Sequence, residues 1–194
     1  MLRIVNLEEI EGLLLRIPKL VDRLEQQDPE FIQEVKRWLI TLEQVLMNNR
    51  MPVGGSIAAL RAVLNTSEHG VIPAGIVFNG KPTSRKIGNA TAADVLRRTS
   101  ELVSNALRED SSRIAEAERL GQQLLAIARS KGLTLVEISA GEPIQNIKKL
   151  WRTISADSNL SPGAVRLESL IGRDDALIVL DRVITAGHYD LNPA

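Results

Sequence analysis

Apolar residues recur along most of the chain at the three- and four-residue spacing of an α-helix. The first stripe covers residues 7–24, and Pro18 interrupts it. We expect a kink or two short helices there, because proline removes a backbone donor and clashes with the preceding turn. A second stripe covers residues 31–46 and follows Asp28 and Pro29, which are residue types typical of a helix N-terminus. The two segments predict an antiparallel helical hairpin.

A third, shorter stripe follows Gly54 and Gly55, and a β-hairpin is predicted after it. Residues 71–90 show no helical period, and the apolar run 75–78 leads into Asn79-Gly80. Asn-Gly suits the positive φ angles of a type I′ hairpin turn. Pro82 would confine the return strand to an edge, since proline cannot donate to a ladder. The sequence therefore predicts a small β-hairpin insertion at residues 71–90.

The longest stripe begins at Thr91 and ends near Lys131, with no proline and one internal glycine. A helix of ~40 residues would span about 60 Å, whereas the mean helix has about 11–12 residues. Such a helix is typical of a bundle spine or an oligomerisation arm. Its predicted seam is Leu96, Thr99, Val103, Ala106, Asp110, Ile114, Ala117, Gly121, Leu124 and Ala128. Two four-residue steps meet at Asp110, so we expect a stutter and a loose or partner-contacting waist there.

Beyond Gly132 the pattern predicts a smaller, mostly helical subdomain. Residues 133–138 have the composition of a strand, and helices are expected to begin near Pro143, Ser161 and Asp174. The predicted fold class is therefore mainly α. We expect a helical bundle built around one long helix, with domain 1–132 carrying the hairpin insertion and a C-terminal helical subdomain at 133–194.

Composition and charge narrow the function classes. Hydrophobic residues make up 44% of the 194-residue chain, aromatics only 3%, and cysteine is absent, so the core must be aliphatic and no thiol chemistry is available. Lys+Arg and Asp+Glu balance at 24 each, which gives no global attraction to nucleic acid or an anionic membrane. The longest aliphatic run, residues 176–180, is too short to cross a membrane. We expect a cytoplasmic protein that makes no membrane contact.

One local basic concentration could bind phosphate or an acidic partner. It consists of Lys81, Arg85, Lys86, Arg97 and Arg98. The alternative, which we favour, is a solvated edge strand, where cationic side chains deter edge-to-edge pairing.

No cofactor, metal site or catalytic residue is predicted. Residues 75–83 approach the spacing of a phosphate-binding loop, but Pro82 stands where that loop needs a hydroxyl. Arg182 and His188 fit the loose Arg-x4–6-His spacing of helical HEPN-type ribonucleases, in which the arginine would stabilise phosphate charge and the histidine would transfer protons. We favour a surface arginine and a helix-capping histidine, because Gly187 is expected to end the helix.

These patterns predict a non-enzymatic, oligomeric helical adaptor or regulatory protein that acts through protein–protein contacts. The hairpin helices, about 20 residues each, would cover only about half of the long helix, so we expect a second copy or a protein partner along the rest. Two alternatives stay open: a nucleic-acid-associated protein using the basic residues 81–98, and a HEPN-like ribonuclease using Arg182 and His188.

Overall fold

The computed structural model of the chain describes residues 2–132 and 143–188. Within these ranges the chain forms eight α-helices and one π-helical turn, and no strand. The helices are α1 (Ile4–Leu14), α2 (Ile17–Glu25), α3 (Phe31–Asn48), α4 (Val53–Glu68), α5 (Ser84–Ser130), α6 (Pro143–Ala156), α7 (Ser161–Ile171) and α8 (Arg173–Val183), and the π-helical turn is Ile184–His188. The prediction of a mainly α fold with one long helix is confirmed.

The described residues group into two compact units. The N-terminal unit is Ile4–Arg108 with Leu2, and the C-terminal unit consists of the described residues from Glu109 onward with Arg3. The division falls inside α5, so each half of that helix belongs to a different unit. The predicted domain boundary at residue 132 stays a prediction, because it borders residues 133–142, which lie outside the described residues. The predicted strand at 133–138 lies in the same range and is likewise outside the described residues.

Helix α3 is the centre of the N-terminal unit and packs against α1, α2 and α4. Trp38 is buried there, and its Nε1 donates a hydrogen bond to the Leu13 carbonyl at 2.9 Å, which satisfies the polar end of a ring that fills the core. Pro18 occupies the first turn of α2, where the missing donor has no helical partner to lose. The predicted stripe is therefore divided into the two short helices α1 and α2.

The predicted β-hairpin at residues 71–90 is wrong, because this fully described segment contains no strand. Gly80 does have a positive φ angle, +96°, as a turn requires. However, Val77 is 88% exposed and no side chain of residues 71–83 is buried, so this part of the segment has no apolar side that faces a core. A two-stranded hairpin is only marginally stable without further strands or a packed face. Residues 71–83 form an irregular loop instead.

Helix α5 begins at Ser84 rather than at the predicted Thr91. The Thr83 Oγ1 accepts a hydrogen bond from the Lys86 amide at 3.3 Å, which is the N-cap arrangement. Thr91 is buried inside the helix, and its Oγ1 donates to the Ile87 carbonyl at 2.8 Å. Thr91 therefore bonds back along a helix that has already started.

Gly88 lies in the first two turns of α5, before the predicted start of this helix at Thr91. Glycine usually weakens a helix interior, yet here a Cβ atom would lie 2.7 Å from Ile32 Cδ1. Gly88 thus lies at a close approach between α5 and α3, and it does not break the helix.

The buried stripe of α5 follows most of the predicted seam. All predicted seam positions are buried except Ala106 and Asp110. Ala106 is exposed and Leu107 is buried in its place, so the two four-residue steps meet at Val103 rather than at the predicted Asp110, two seam positions earlier. Residues 108–113 contain no buried side chain, and within them Arg113 forms an ion pair with Asp110.

In the C-terminal unit, α6, α7 and α8 pack on one another. The second half of α5 lies against α7 and α8. A Cβ atom on Gly121 would lie 3.0 Å from Val179 Cγ1, and one on Gly163 would lie 2.6 Å from Leu124 Cδ2. An ion pair at the surface joins Arg166 of α7 to Glu116 at 2.9 Å.

Asp157 connects the loop between α6 and α7 to the end of α5. Its carboxylate accepts hydrogen bonds from Lys131 Nζ at 2.7 and 2.9 Å and from the amides of Asn159 and Leu160. The Lys131 hydrogen bond is the largest cause that lowers the pKa of Asp157 below its ordinary value, and the amide bonds add to it.

Among the described residues, no helix is both long and apolar enough to cross a membrane.

Replacing Gly121 by leucine is expected to destabilise the protein by about 1–3 kcal/mol, because the new side chain must displace Val179. Gly12 of α1 is the matched control, since a Cβ there would meet nothing within 4 Å. Gly12→Leu should leave stability unchanged or raise it by up to about 1 kcal/mol through helix propensity. Urea unfolding followed by circular dichroism measures both, and equal effects would contradict the close α5–α8 packing.

Asp157→Asn is expected to lower the midpoint of thermal unfolding at neutral pH. Because the folded-state pKa of Asp157 is lowered, its charge stabilises the fold above the ordinary aspartate pKa of about 4. That contribution is lost as the pH falls through the lowered pKa, so wild type and Asp157→Asn should converge in acid. Asp181→Asn, an exposed carboxylate of the same unit, is the control. A difference that persists unchanged at low pH would contradict this assignment.

Candidate protein-interaction site

The five predicted basic residues occupy the loop before α5 and the first four turns of that helix. Lys81 is exposed in the loop, and Arg85 and Lys86 lie in the first turn. Successive residues turn by about 100° around a helix, so Lys86 and Arg97, eleven positions apart, share one face. Arg98 lies about 120° around the helix from Lys86 by the same geometry. The structure thus brings Lys86 and Arg97 onto one face and turns Arg98 away.

The arginines of this set already bind groups of the protein itself. Arg97 donates to Asp94 Oδ1 at 2.7 Å and to Glu101 Oε1 at 2.9 Å, and these two hydrogen bonds raise the pKa of Arg97 above its ordinary value. Arg98 Nη1 lies 3.6 Å from Asp94 Oδ2. Arg85 Nη2 donates to the Gln27 carbonyl at 2.7 Å. An incoming phosphate would have to compete with these acceptors.

An apolar groove of about 390 Å³ lies between α2 and α5 in the N-terminal unit. Ile17, Val21 and Leu24 line it from α2, at the i, i+4, i+7 spacing of one helix face. Leu96, 2% exposed, lies at its base, and Val21, 38% exposed, lies at its edge. Such a groove, apolar and open to solvent, is suited to the side chains of a docked helix.

The α5 side of the groove also carries opposite charges one helical turn apart. Arg97, Ser100 and Glu101 all line it, and the Arg97–Glu101 ion pair measures 2.9 Å. The groove has no imidazole or thiol, so its chemistry is that of an apolar contact bordered by a charge pair.

Arg182, the first member of the predicted ribonuclease pair, forms an ion pair with Glu118 Oε1 of α5 at 3.2 Å. His188 is the last residue of the π-helical turn. Its side chain lies outside the described part of the chain, so the pairing of the two residues stays a prediction. No group of three or more His, Asp or Glu side chains that could hold a metal ion occurs in the described ranges.

The groove is not evident from the sequence, because the apolar residues of α2 form one continuous stripe. The stripe spans about 100° of the helix circumference, and only Leu20 within α2 is buried. Periodicity identifies an apolar face, but it does not show how completely another helix covers that face. A second feature that the sequence analysis did not predict is the cationic surface of α6, formed by Lys148, Lys149 and Arg152. The sequence of α6 contains these three cations and no carboxylate, and this pattern could have indicated the surface.

No protein-family model, no curated protein and no solved structure significantly matches this chain.

Proposed function

We propose that this protein is a non-enzymatic helical adaptor that acts through protein–protein contacts and that assembles with a second copy of itself through the groove between α2 and α5. The observation that carries the proposal is the apolar lining of that groove, left open to solvent beside a charge pair. Apolar surface of this kind gains free energy when a partner removes it from water.

The charge pattern favours a second copy as the occupant. In a two-fold symmetric dimer the same surface patch of both copies forms the interface, so if one residue of the first copy contacts a second residue of its partner, the reverse contact also forms. Arg97 and Glu101 are of opposite sign and one turn apart on α5. If two α5 helices meet antiparallel, Arg97 of each copy lies opposite Glu101 of the other. The patch is therefore complementary to itself, with the apolar residues of α2 beside it.

The same charges weigh against the nucleic-acid alternative for residues 81–98, because Asp94 and Glu101 would repel phosphates at Arg97. No described feature favours the ribonuclease alternative, since Arg182 is engaged by Glu118. A cytoplasmic location belongs to this proposal and rests on the absence of cysteine from the sequence, which suits a reducing compartment.

Val21→Glu is expected to weaken self-association by at least about 30-fold, which corresponds to a loss of about 2 kcal/mol. The reason is that a dimer would bury the new carboxylate without a partner. Sedimentation velocity over a range of protein concentrations measures the dissociation constant. Thermal unfolding by circular dichroism checks that the variant still folds.

The control is Val5→Glu, the same substitution at a position of α1 that is 56% exposed and does not line the groove. It should leave the dissociation constant unchanged within about twofold. Equal weakening by both variants, or a wild-type protein that stays monomeric, would contradict the proposed dimer.

A further inference from the structure

The C-terminal unit contains a second surface cleft, formed between α6 and α7. Its volume is about 410 Å³, and it lies entirely within residues 151–173. Trp151 forms part of its wall but is only 2% exposed, and its Nε1 donates to Glu168 Oε1 at 3.0 Å. Val165 lines the cleft and is 62% exposed. The cleft therefore offers an apolar contact above a fixed indole ring.

Two cationic side chains, Arg152 and Arg173, line this cleft, and helix α6 carries two more. Helix α6 carries Lys148, Lys149 and Arg152 and no carboxylate. None of the three has an ion-pair partner among the described residues, and Arg152 lines the cleft itself. Arg173 lines it from the start of α8. These cations differ from Arg97 and Arg98 of α5, which form ion pairs with Asp94 and, for Arg97, also with Glu101.

The one carboxylate of the cleft does not neutralise this surface. Glu168 already accepts a hydrogen bond from Trp151 and lies 4.0 Å from Arg173 Nε. The cleft lining carries Arg152 and Arg173 against Glu168. Lys148 and Lys149 of α6 add two further positive charges on the helix that carries Arg152. An occupant that supplies carboxylates would offset these charges.

We propose that the α6–α7 cleft binds an acidic, amphipathic peptide segment of a partner protein, with an apolar side chain against Val165 and carboxylates against Lys148 and Arg152. Lys148 and Arg152 lie one turn apart on α6, and Ser155 and Ala156 at the cleft continue the same face. A helical peptide repeats its carboxylates at the same spacing of about 6 Å. This inference rests on the proposed adaptor function and names the chemistry of its partner.

A peptide fits these features better than a nucleic acid does. Binding of single strands relies on exposed aromatic rings for stacking, and the Trp151 ring is buried with its Nε1 already bonded. The cleft also contains Glu168, which would repel a phosphate chain and which a peptide can face with an apolar side chain or an amide.

The test uses the full chain and a fluorescein-labelled peptide of about 15 residues built of glutamate and leucine, with the leucines at helical spacing. Fluorescence anisotropy should show saturable binding to wild type that weakens as salt is added. Arg152→Glu should weaken binding at least about tenfold, and Val165→Ser about threefold or more. Arg119→Glu reverses an exposed charge of α5 in the same unit, away from the cleft, and should leave binding unchanged.

Three results would overturn the inference: equal binding to Arg152→Glu and wild type, equal binding of a peptide with lysine in place of glutamate, or displacement of the acidic peptide by single-stranded DNA at lower concentration than by unlabelled peptide. The last result would assign the surface to nucleic acid. Val21→Glu separates this test from that of the dimer, because it alters the N-terminal groove and should retain peptide binding. A wild-type protein that self-associates but does not bind the acidic peptide would reject the cleft assignment alone.

Discussion

Burial of one apolar stripe along α5 is the constraint on which both compact units depend. The N-terminal unit buries Val95 and Val103 from this helix, and the C-terminal unit buries Ile114 and Leu124. Each such side chain contributes about 1.5–3 kcal/mol when it is fully removed from water. The stripe has no buried member within residues 108–113, so each unit gains its stability from its own section of the helix.

The surfaces proposed to function are those that this burial leaves uncovered. Helix α2 packs on α3 and leaves Ile17, Val21 and Leu24 facing an open groove beside α5. In the C-terminal unit, α6 places Trp151 in the core and its cations on the outside. The first surface is balanced in charge and suits a second copy, whereas the second has excess positive charge and suits an acidic partner. An adaptor needs two such separate contacts.

Helical periodicity predicts where most of the helices lie, but it does not predict how completely other helices bury their apolar faces. The stripes that identify α3, α4 and most of α5 are local, so they can be read without knowing the partner helices. The predicted hairpin is wrong because residues 71–83 bury no side chain, which the Asn79-Gly80 turn signal alone does not show. That α5 starts before Thr91 depends on the approach of Ile32 to Gly88, which is a contact distant in sequence. The α2–α5 groove likewise depends on residues more than sixty positions apart. The basic set Lys81–Arg98 was visible in the sequence, but the bond between Arg85 and the Gln27 carbonyl was not.

The mass of the wild-type protein in solution distinguishes a dimer formed through the α2–α5 groove from a monomer. Size exclusion with light scattering, over a range of protein concentrations and at two salt concentrations, measures it. We expect a mass approaching twice the chain mass of 21.3 kDa at both salt concentrations, because an apolar groove supplies most of the binding free energy and salt screens only its charged border. A mass of one chain at every concentration would contradict this expectation, and so would a dimer that dissociates completely at the higher salt concentration.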